Sequence, residues 1–172
     1  MTTKQSRIDS LYGVMKKINS FCAAISGLIL LFVSVSIFID IILRYFFRKP
    51  TIWITEVSTY LFLYIIFFVT AYALQEDFHI KATFFYVFLS KKAKRIVNLV
   101  TSLFSIAFVF VMLWQTSRMT WKAIEGSWTS PTVLNVPFAY VYPAMVFGSF
   151  MLLITYVLKA IYEFVNHETE EN

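Results

Sequence analysis

The residues best suited to chemistry in this chain are charged and aromatic side chains that lie in short clusters. Asp40 and Arg44 are four positions apart with the acid first, which places an ion pair on one helix face. Trp53 and Glu56 follow, and a carboxylate is favoured in the first turn of a helix by the helix dipole. Each pair predicts either local support of a helix end or a contact with another protein.

The longest cluster lies between residues 118 and 143. These 26 residues contain two tryptophans, three prolines and a glycine, which predicts a shaped, partly rigid surface rather than a slack linker. We expect this surface to recognise a partner, and the side chains that would do so are Arg118, Trp121, Trp128 and Tyr142.

Cysteine and histidine are too scarce for metal or redox chemistry. Cys22 is the only cysteine, which excludes an intrachain disulfide and a Cys-based metal site. The two histidines, His79 and His167, cannot supply the four axial ligands of a two-haem cytochrome. His79 lies in the run Q-E-D-F-H-I-K, where a solvated turn is expected rather than a metal site. We predict no catalytic, cofactor-binding or metal-binding residue, and a protein that is not an enzyme.

The composition is that of a membrane protein. Hydrophobic residues make up 59% of the 172 residues and charged residues 15%, against roughly 45 to 50% and 25% in soluble domains. Four uncharged stretches occur, at residues 18–39, 57–75, 96–117 and 126–158. A stretch of 22 helical residues covers about 33 Å, enough to cross a hydrocarbon layer of about 30 Å. The prediction is an all-α integral membrane protein with four transmembrane helices, at residues 18–43, 53–75, 95–117 and 137–162.

The first stretch is predicted to be a retained span rather than a signal peptide, because 17 polar-rich residues precede it and no small-residue cleavage site follows. Lysine and arginine then predict the orientation. Ten lie on the side of the termini and five on the other, so both termini are expected in the cytoplasm. The basic residues expected to meet lipid headgroups, rather than nucleic acid, are Lys16, Lys17, Lys91, Lys92, Lys94 and Arg95.

Two segments are predicted to lie in the membrane interface. Residues 7–17 form an amphipathic helix pattern, and residues 80–90 are aromatic but too short to cross. Both could serve as plain anchors or fit a partner's groove. The remaining parts are an outer loop at residues 118–136 and an acidic cytoplasmic tail at residues 163–172.

None of the four spans has a charged residue near its centre. A protein that moves ions or polar solutes by itself needs such groups at mid-depth, because the hydrocarbon offers the cargo no water. The hydroxyl residues that do occur in the spans, such as Ser34, Thr70 and Thr155, are expected to pack or to bond to backbone carbonyls. The chain is therefore predicted to have no transport machinery of its own.

Several short motifs occur in an order that covers nearly the whole chain. They are R-Y-F-F at 44–47, W-I-T-E at 53–56, H-I at 79–80, K-K-A-K-R at 91–95, G-S-W-T-S-P at 126–131 and V-P-F-A-Y-V-Y-P at 136–143. In order and spacing the chain resembles the small four-helix (DctQ-like) membrane subunit of the tripartite ATP-independent periplasmic (TRAP) transporters.

This resemblance implies a non-catalytic scaffold in the bacterial inner membrane. Its partners would be a large multi-span subunit, which moves a small carboxylate solute by a sodium-driven elevator motion, and a periplasmic substrate-binding protein that docks transiently. The residues expected to face the large subunit are Asp40, Arg44, Trp53 and Glu56. Arg118, Trp121, Trp128 and Tyr142 would form a periplasmic rim for the binding protein. Two alternatives are an autonomous four-helix efflux transporter and a scaffold of an unrelated membrane complex.

Overall fold

The computed structural model describes residues 3–49, 51–76 and 91–170, and this part of the chain is helical. Its elements are α1 (Thr3–Phe47), α2 (Ile52–Gln75), α3 (Lys91–Glu125), α4 (Phe138–Val141) and α5 (Pro143–Glu170). Within the described ranges no strand is formed, and Thr129 and Pro137 make an isolated antiparallel bridge. The predicted all-α fold is confirmed.

Four segments of these helices are long and apolar enough to cross a membrane, as predicted. They are Ser10–Phe47, Ile52–Gln75, Val100–Glu125 and Phe138–Tyr162. The last of these runs through α4 and α5, which are joined at Tyr142, whose backbone is itself helical. Pro143 follows and has no N–H to donate to the preceding turn, which separates the two helices.

Helix α1 is much longer than one bilayer crossing. Its 45 residues extend about 67 Å, roughly twice the hydrocarbon thickness. The predicted interfacial helix at residues 7–17 is the beginning of this helix and continues into the first span without interruption. Lys16 and Lys17 change the polarity of the chain there, but lysine is a good helix former and does not end a helix. The second predicted interfacial segment, residues 80–90, lies outside the described residues.

Helix α5 lies at the centre of the bundle and packs against α1, α2 and α3, while α1 also packs along α2. The buried apolar core joins α2, α3 and α5 through Ala71, Leu74, Val109 and Leu152. Near the end of α5, the ring of Tyr162 stacks on Tyr12 of α1 with the ring centroids 4.8 Å apart. Helices α1 and α5 therefore remain in contact at Tyr12, which precedes the start of the predicted first span at residue 18.

Helices α2 and α5 approach each other closely where Gly148 of α5 meets Phe67 of α2. A methyl group added to Gly148 would lie 2.4 Å from the carbonyl oxygen of Phe67, which is far inside van der Waals contact. Small residues allow such close backbone contact between membrane helices, where dispersion rather than the hydrophobic effect drives packing. Glycine at this position therefore sets the distance between α2 and α5.

Candidate functional site

The polar side chains of the described bundle are concentrated at its two ends. At one end, Asp40 of α1 is 5% exposed although it is ionisable. Its carboxylate accepts hydrogen bonds from Arg44 Nη2 at 2.9 Å, from the backbone N–H of Thr51 at 3.0 Å, and from the Thr51 hydroxyl. The ion pair that the spacing indicates is formed, and the same carboxylate also ties the end of α1 to the start of α2. This region is called the Asp40 end below.

Glu56 belongs to the same end and is also largely buried, at 8% exposure. The Tyr60 hydroxyl donates to Glu56 Oε1 at 3.0 Å, and the Thr132 hydroxyl donates to the same oxygen. The Thr132 hydroxyl also lies 2.5 Å from the hydroxyl of Ser130. Glu56 therefore fastens the loop after α3 to the first turns of α2.

That loop is a compact hairpin rather than a slack tether. Helix α3 ends in a Schellman motif, in which Ser127 has a positive φ of 49° and the N–H of Trp128 donates to the carbonyl of Ala123 at 3.0 Å. The chain then doubles back, since the Ser130 N–H donates to Val136 and the Phe138 N–H donates to Trp128, each at 2.9 Å. The shaped surface predicted from the prolines and tryptophans has this hairpin as its frame.

Of the residues expected to face the large subunit, the structure exposes two. The side chain of Arg44 is 54% exposed and Trp53 is 49% exposed. Asp40 and Glu56 use their carboxylates within the subunit. The two acids therefore shape the Asp40 end, and the cation and the indole remain available to a neighbour.

The four residues expected at the rim have different surroundings. Arg118 is exposed and Trp121 is 64% exposed, both near the end of α3. The indole of Trp128 lies over Gly126, where an added methyl group would come within 2.4 Å of Nε1. Tyr142 is partly buried and stacks on Phe138 with ring centroids 4.9 Å apart. Arg118 and Trp121 thus offer open surface, while Trp128 and Tyr142 also support the hairpin.

A second polar cluster joins three helices at the opposite end of the bundle, which is called the Asn19 end. The side-chain amide of Asn19 donates to Gln75 Oε1 at 3.1 Å and to Thr155 Oγ1 at 3.0 Å. All three residues are buried, with 1%, 7% and 1% exposure. Sequence reasoning did not identify this cluster. Its only signal is an asparagine two positions after a lysine pair and a glutamine next to a glutamate, both at the limits of predicted spans.

Charged groups surround the Asn19 cluster. Gln75 donates to Glu76 at 3.0 Å, and Glu76 pairs with Lys16 at 3.7 Å. Lys159 donates to the Leu74 carbonyl at 3.0 Å, which caps the last turn of α2.

Of the remaining residues expected to meet lipid headgroups, two have side chains that the structure describes. Lys17 is exposed and Lys94 is partly buried. Lys91, Lys92 and Arg95 lie in the first turns of α3, and their side chains are outside the described part.

The two polar clusters are separated by about one membrane thickness. Asn19 and Asp40 are 21 positions apart on α1, which corresponds to about 32 Å along the helix and matches the hydrocarbon layer of about 30 Å. Between them, the Ser26 hydroxyl donates to the Cys22 carbonyl at 2.9 Å and the Ser34 hydroxyl to the Leu30 carbonyl at 2.8 Å, each within α1. The buried Ser149 hydroxyl of α5 has no partner among the described residues. Among the described residues, no three His, Cys, Asp or Glu side chains come together as metal ligands.

The chain matches the model of a known family. Residues 33–166 match the family model described as "Tripartite ATP-independent periplasmic transporters, DctQ component". The match includes Asp40 and Glu56 of the Asp40 end and the hairpin after α3. No curated protein matches the chain.

Proposed function

Since this chain belongs to the DctQ component family of tripartite ATP-independent periplasmic transporters, we propose that it is the non-catalytic scaffold subunit of such a transporter. Its principal partner is a large multi-span subunit that takes up a small carboxylate solute, such as a dicarboxylate or a sugar acid, by a sodium-driven elevator motion. A periplasmic binding protein delivers the solute and docks transiently. The complex lies in the inner membrane, with both termini of this chain in the cytoplasm.

The observation that supports this proposal best is that buried polar side chains at both ends of the bundle form hydrogen bonds that join different helices of the subunit. Asp40 joins α1 to α2, and Asn19 joins α1 to α2 and α5. The sides between the two ends expose large apolar residues, including Leu28, Phe32, Phe104, Phe108 and Trp114. Such a bundle resists relative sliding of its helices and presents an apolar surface to lipid and partner.

An elevator mechanism requires a rigid helical bundle beside the domain that moves. While one domain of the large subunit slides across the membrane, the rest of the assembly has to remain fixed. Asn19 and Asp40 connect α1 to its neighbours at two points that lie about 32 Å apart along the helix. The helices cannot slide past each other without breaking these hydrogen bonds. The central position of α5, which packs on the other three long helices, holds the frame together.

The side chains that remain exposed on the subunit indicate which surfaces could contact its partners. Trp53 and Arg44, which Asp40 holds in position, are proposed to contribute to the large-subunit side. Arg118 and Trp121 are proposed to contribute to the surface that meets the binding protein, with Trp128 and Tyr142 maintaining the hairpin beside them. A tryptophan at the membrane boundary also anchors the helix at headgroup depth.

Affinity capture from the native membrane tests the proposal. The tagged chain should bring down a large multi-span subunit in equal amount, in a detergent that preserves membrane complexes. Substituting Trp53 by alanine should reduce that recovery, while the same change at the exposed Trp114 on α3 serves as a matched control. Recovery of the wild-type chain alone, or with a subunit unrelated to solute uptake, would contradict the assignment.

A further inference from the structure

An open groove of about 560 Å³ lies at the Asp40 end, between the end of α1, the first turns of α2 and the hairpin after α3. Its walls are mostly apolar, and include the exposed side chains of Ile52 and Val133. It begins beside Arg44 and Thr51 and continues along α2 to Tyr60. That path of nine residues is about 13 Å long and leads from the bundle end towards the middle of the membrane.

Most hydroxyl groups in the groove are already bonded within the protein. Thr51 donates to Asp40 and Thr59 to the Thr55 carbonyl, while Tyr60 and Thr132 both donate to Glu56. These residues therefore present carbon atoms to an occupant. Among the described residues, the Thr55 hydroxyl has no partner, and Arg44 uses one terminal nitrogen for Asp40 and leaves its other N–H groups unused.

We infer that this groove binds a membrane phospholipid, with its phosphate on the Arg44 guanidinium and an acyl chain along the wall of α2. The groups that line the groove follow one another in an order that complements the parts of a glycerophospholipid. A cation comes first at the membrane boundary, the Thr55 hydroxyl follows one turn deeper at the depth of an ester carbonyl, and apolar surface follows beyond it. A guanidinium is well suited to phosphate because several N–H groups can point at its oxygens together.

Charge complementarity decides between a lipid and a helix of a partner protein. A helix packing into this groove would bury the unused donors of Arg44 unless it supplied an acceptor at the same point, and an unpaired buried donor is costly. The phosphate of a lipid is already present at that depth in every bilayer. One Asp40 oxygen holds the Arg44 guanidinium at the groove, and the other accepts from Thr51. The remaining N–H groups of Arg44 can therefore bond to the lipid phosphate.

Native mass spectrometry of the full-length chain, purified with the partners that it retains and then delipidated in detergent, tests this inference. The probes are dioleoyl phosphatidylglycerol, dioleoylglycerol, which lacks the phosphate, and inorganic phosphate. We expect phosphatidylglycerol to bind, and Arg44→Gln to lower its apparent affinity about tenfold, the effect of losing one charge-assisted hydrogen bond. Arg44→Lys should retain most of the binding, and Lys49→Gln, which removes a nearby exposed cation, should change nothing.

A second variant avoids the Asp40–Arg44 pair. Thr59→Phe fills the deeper part of the groove from an exposed position on α2, and should also weaken phosphatidylglycerol binding. A photoreactive benzoylphenylalanine at Val133 should label the lipid. Equal binding in wild type, Arg44→Gln and Thr59→Phe would overturn the inference, as would equal occupancy by dioleoylglycerol or by inorganic phosphate alone, or labelling of a polypeptide instead of lipid at Val133. These readouts do not depend on which protein partner the chain has, so the scaffold proposal can fail without affecting them.

Discussion

The carboxylate of Asp40 on α1 holds the backbone N–H of Thr51, the residue that precedes α2, at 3.0 Å. Thr51 is the N-cap of α2, but its own hydroxyl donates to Asp40 instead of capping the helix. The acid of the preceding helix therefore takes over part of the capping role. This contact sets the distance and direction of the connection between the first two spans, and Arg44 balances its charge.

Removing the Asp40 carboxylate should destabilise the protein. Asp40→Ala leaves the Thr51 N–H and hydroxyl without an acceptor and Arg44 without its acid, and we expect a loss of about 2 to 4 kcal/mol in the free energy of unfolding. Asp40→Asn keeps an acceptor for Thr51 and should cost less. Thermal unfolding in detergent provides the comparison, and equal stability of the alanine variant and wild type would show that the contact is unimportant.

Exchanging the two charges separates the ion pair from the capping contact. The double variant Asp40→Arg with Arg44→Asp retains opposite charges four positions apart, but an arginine at position 40 cannot accept the Thr51 N–H. We expect weaker co-purification with the large subunit, because the start of α2 and the nearby Trp53 would shift. Full recovery of the complex would mean that the ion pair alone is sufficient.

The contact between α2 and α5 predicts a large effect of adding one methyl group. Gly148→Ala would place a carbon 2.4 Å from the Phe67 carbonyl oxygen and force the helices apart, at a cost of about 1 to 3 kcal/mol. Gly27→Ala is the matched control, because a methyl group there has no atom within 4 Å. The control should be neutral or slightly stabilising, since alanine is the better helix former. Similar unfolding temperatures for the two variants would contradict the packing described for Gly148.

The polar cluster at the Asn19 end should contribute moderately to stability. Asn19→Leu removes the donor to both Gln75 and Thr155, and we expect a loss of about 1 kcal/mol, the usual size of a hydrogen bond between membrane helices. Ser20→Ala, at the next and exposed position, is the control. Unfolding of both variants in the same detergent checks the difference, and a stabilised Asn19→Leu protein would count against the cluster as a structural tie.

The link between Glu56 and the hairpin can be tested without breaking a helix. Thr132→Val keeps the shape of the side chain and removes the hydroxyl that donates to Glu56. We expect faster hydrogen exchange at the backbone amides of the hairpin, notably those of Ser130 and Asn135, with little change in the long helices. Thr116→Val on α3, whose hydroxyl bonds only to its own helix, should leave hairpin exchange unaffected. Unchanged exchange in Thr132→Val would show that the loop is held by other contacts.

The sequence was sufficient for the number of membrane-spanning helices, because four long uncharged stretches are separated by clusters of charged residues. It was also sufficient for the Asp40–Arg44 pair, which depends on spacing within one helix. The Asn19 contacts could not be predicted, since they join positions 56 and 136 residues apart and any of several polar residues near span ends could have met. The internal use of Glu56 was missed for the same reason, because its partner Thr132 lies in a loop whose path depends on the Schellman turn at Ser127.

The most direct test of the scaffold assignment is solute uptake into liposomes under an inward sodium gradient, with the binding protein and its bound radiolabelled carboxylate outside. Liposomes that contain the large subunit together with this chain are expected to accumulate the solute, and liposomes that contain this chain alone are expected to remain at background. Sodium-dependent accumulation by this chain alone would contradict the account.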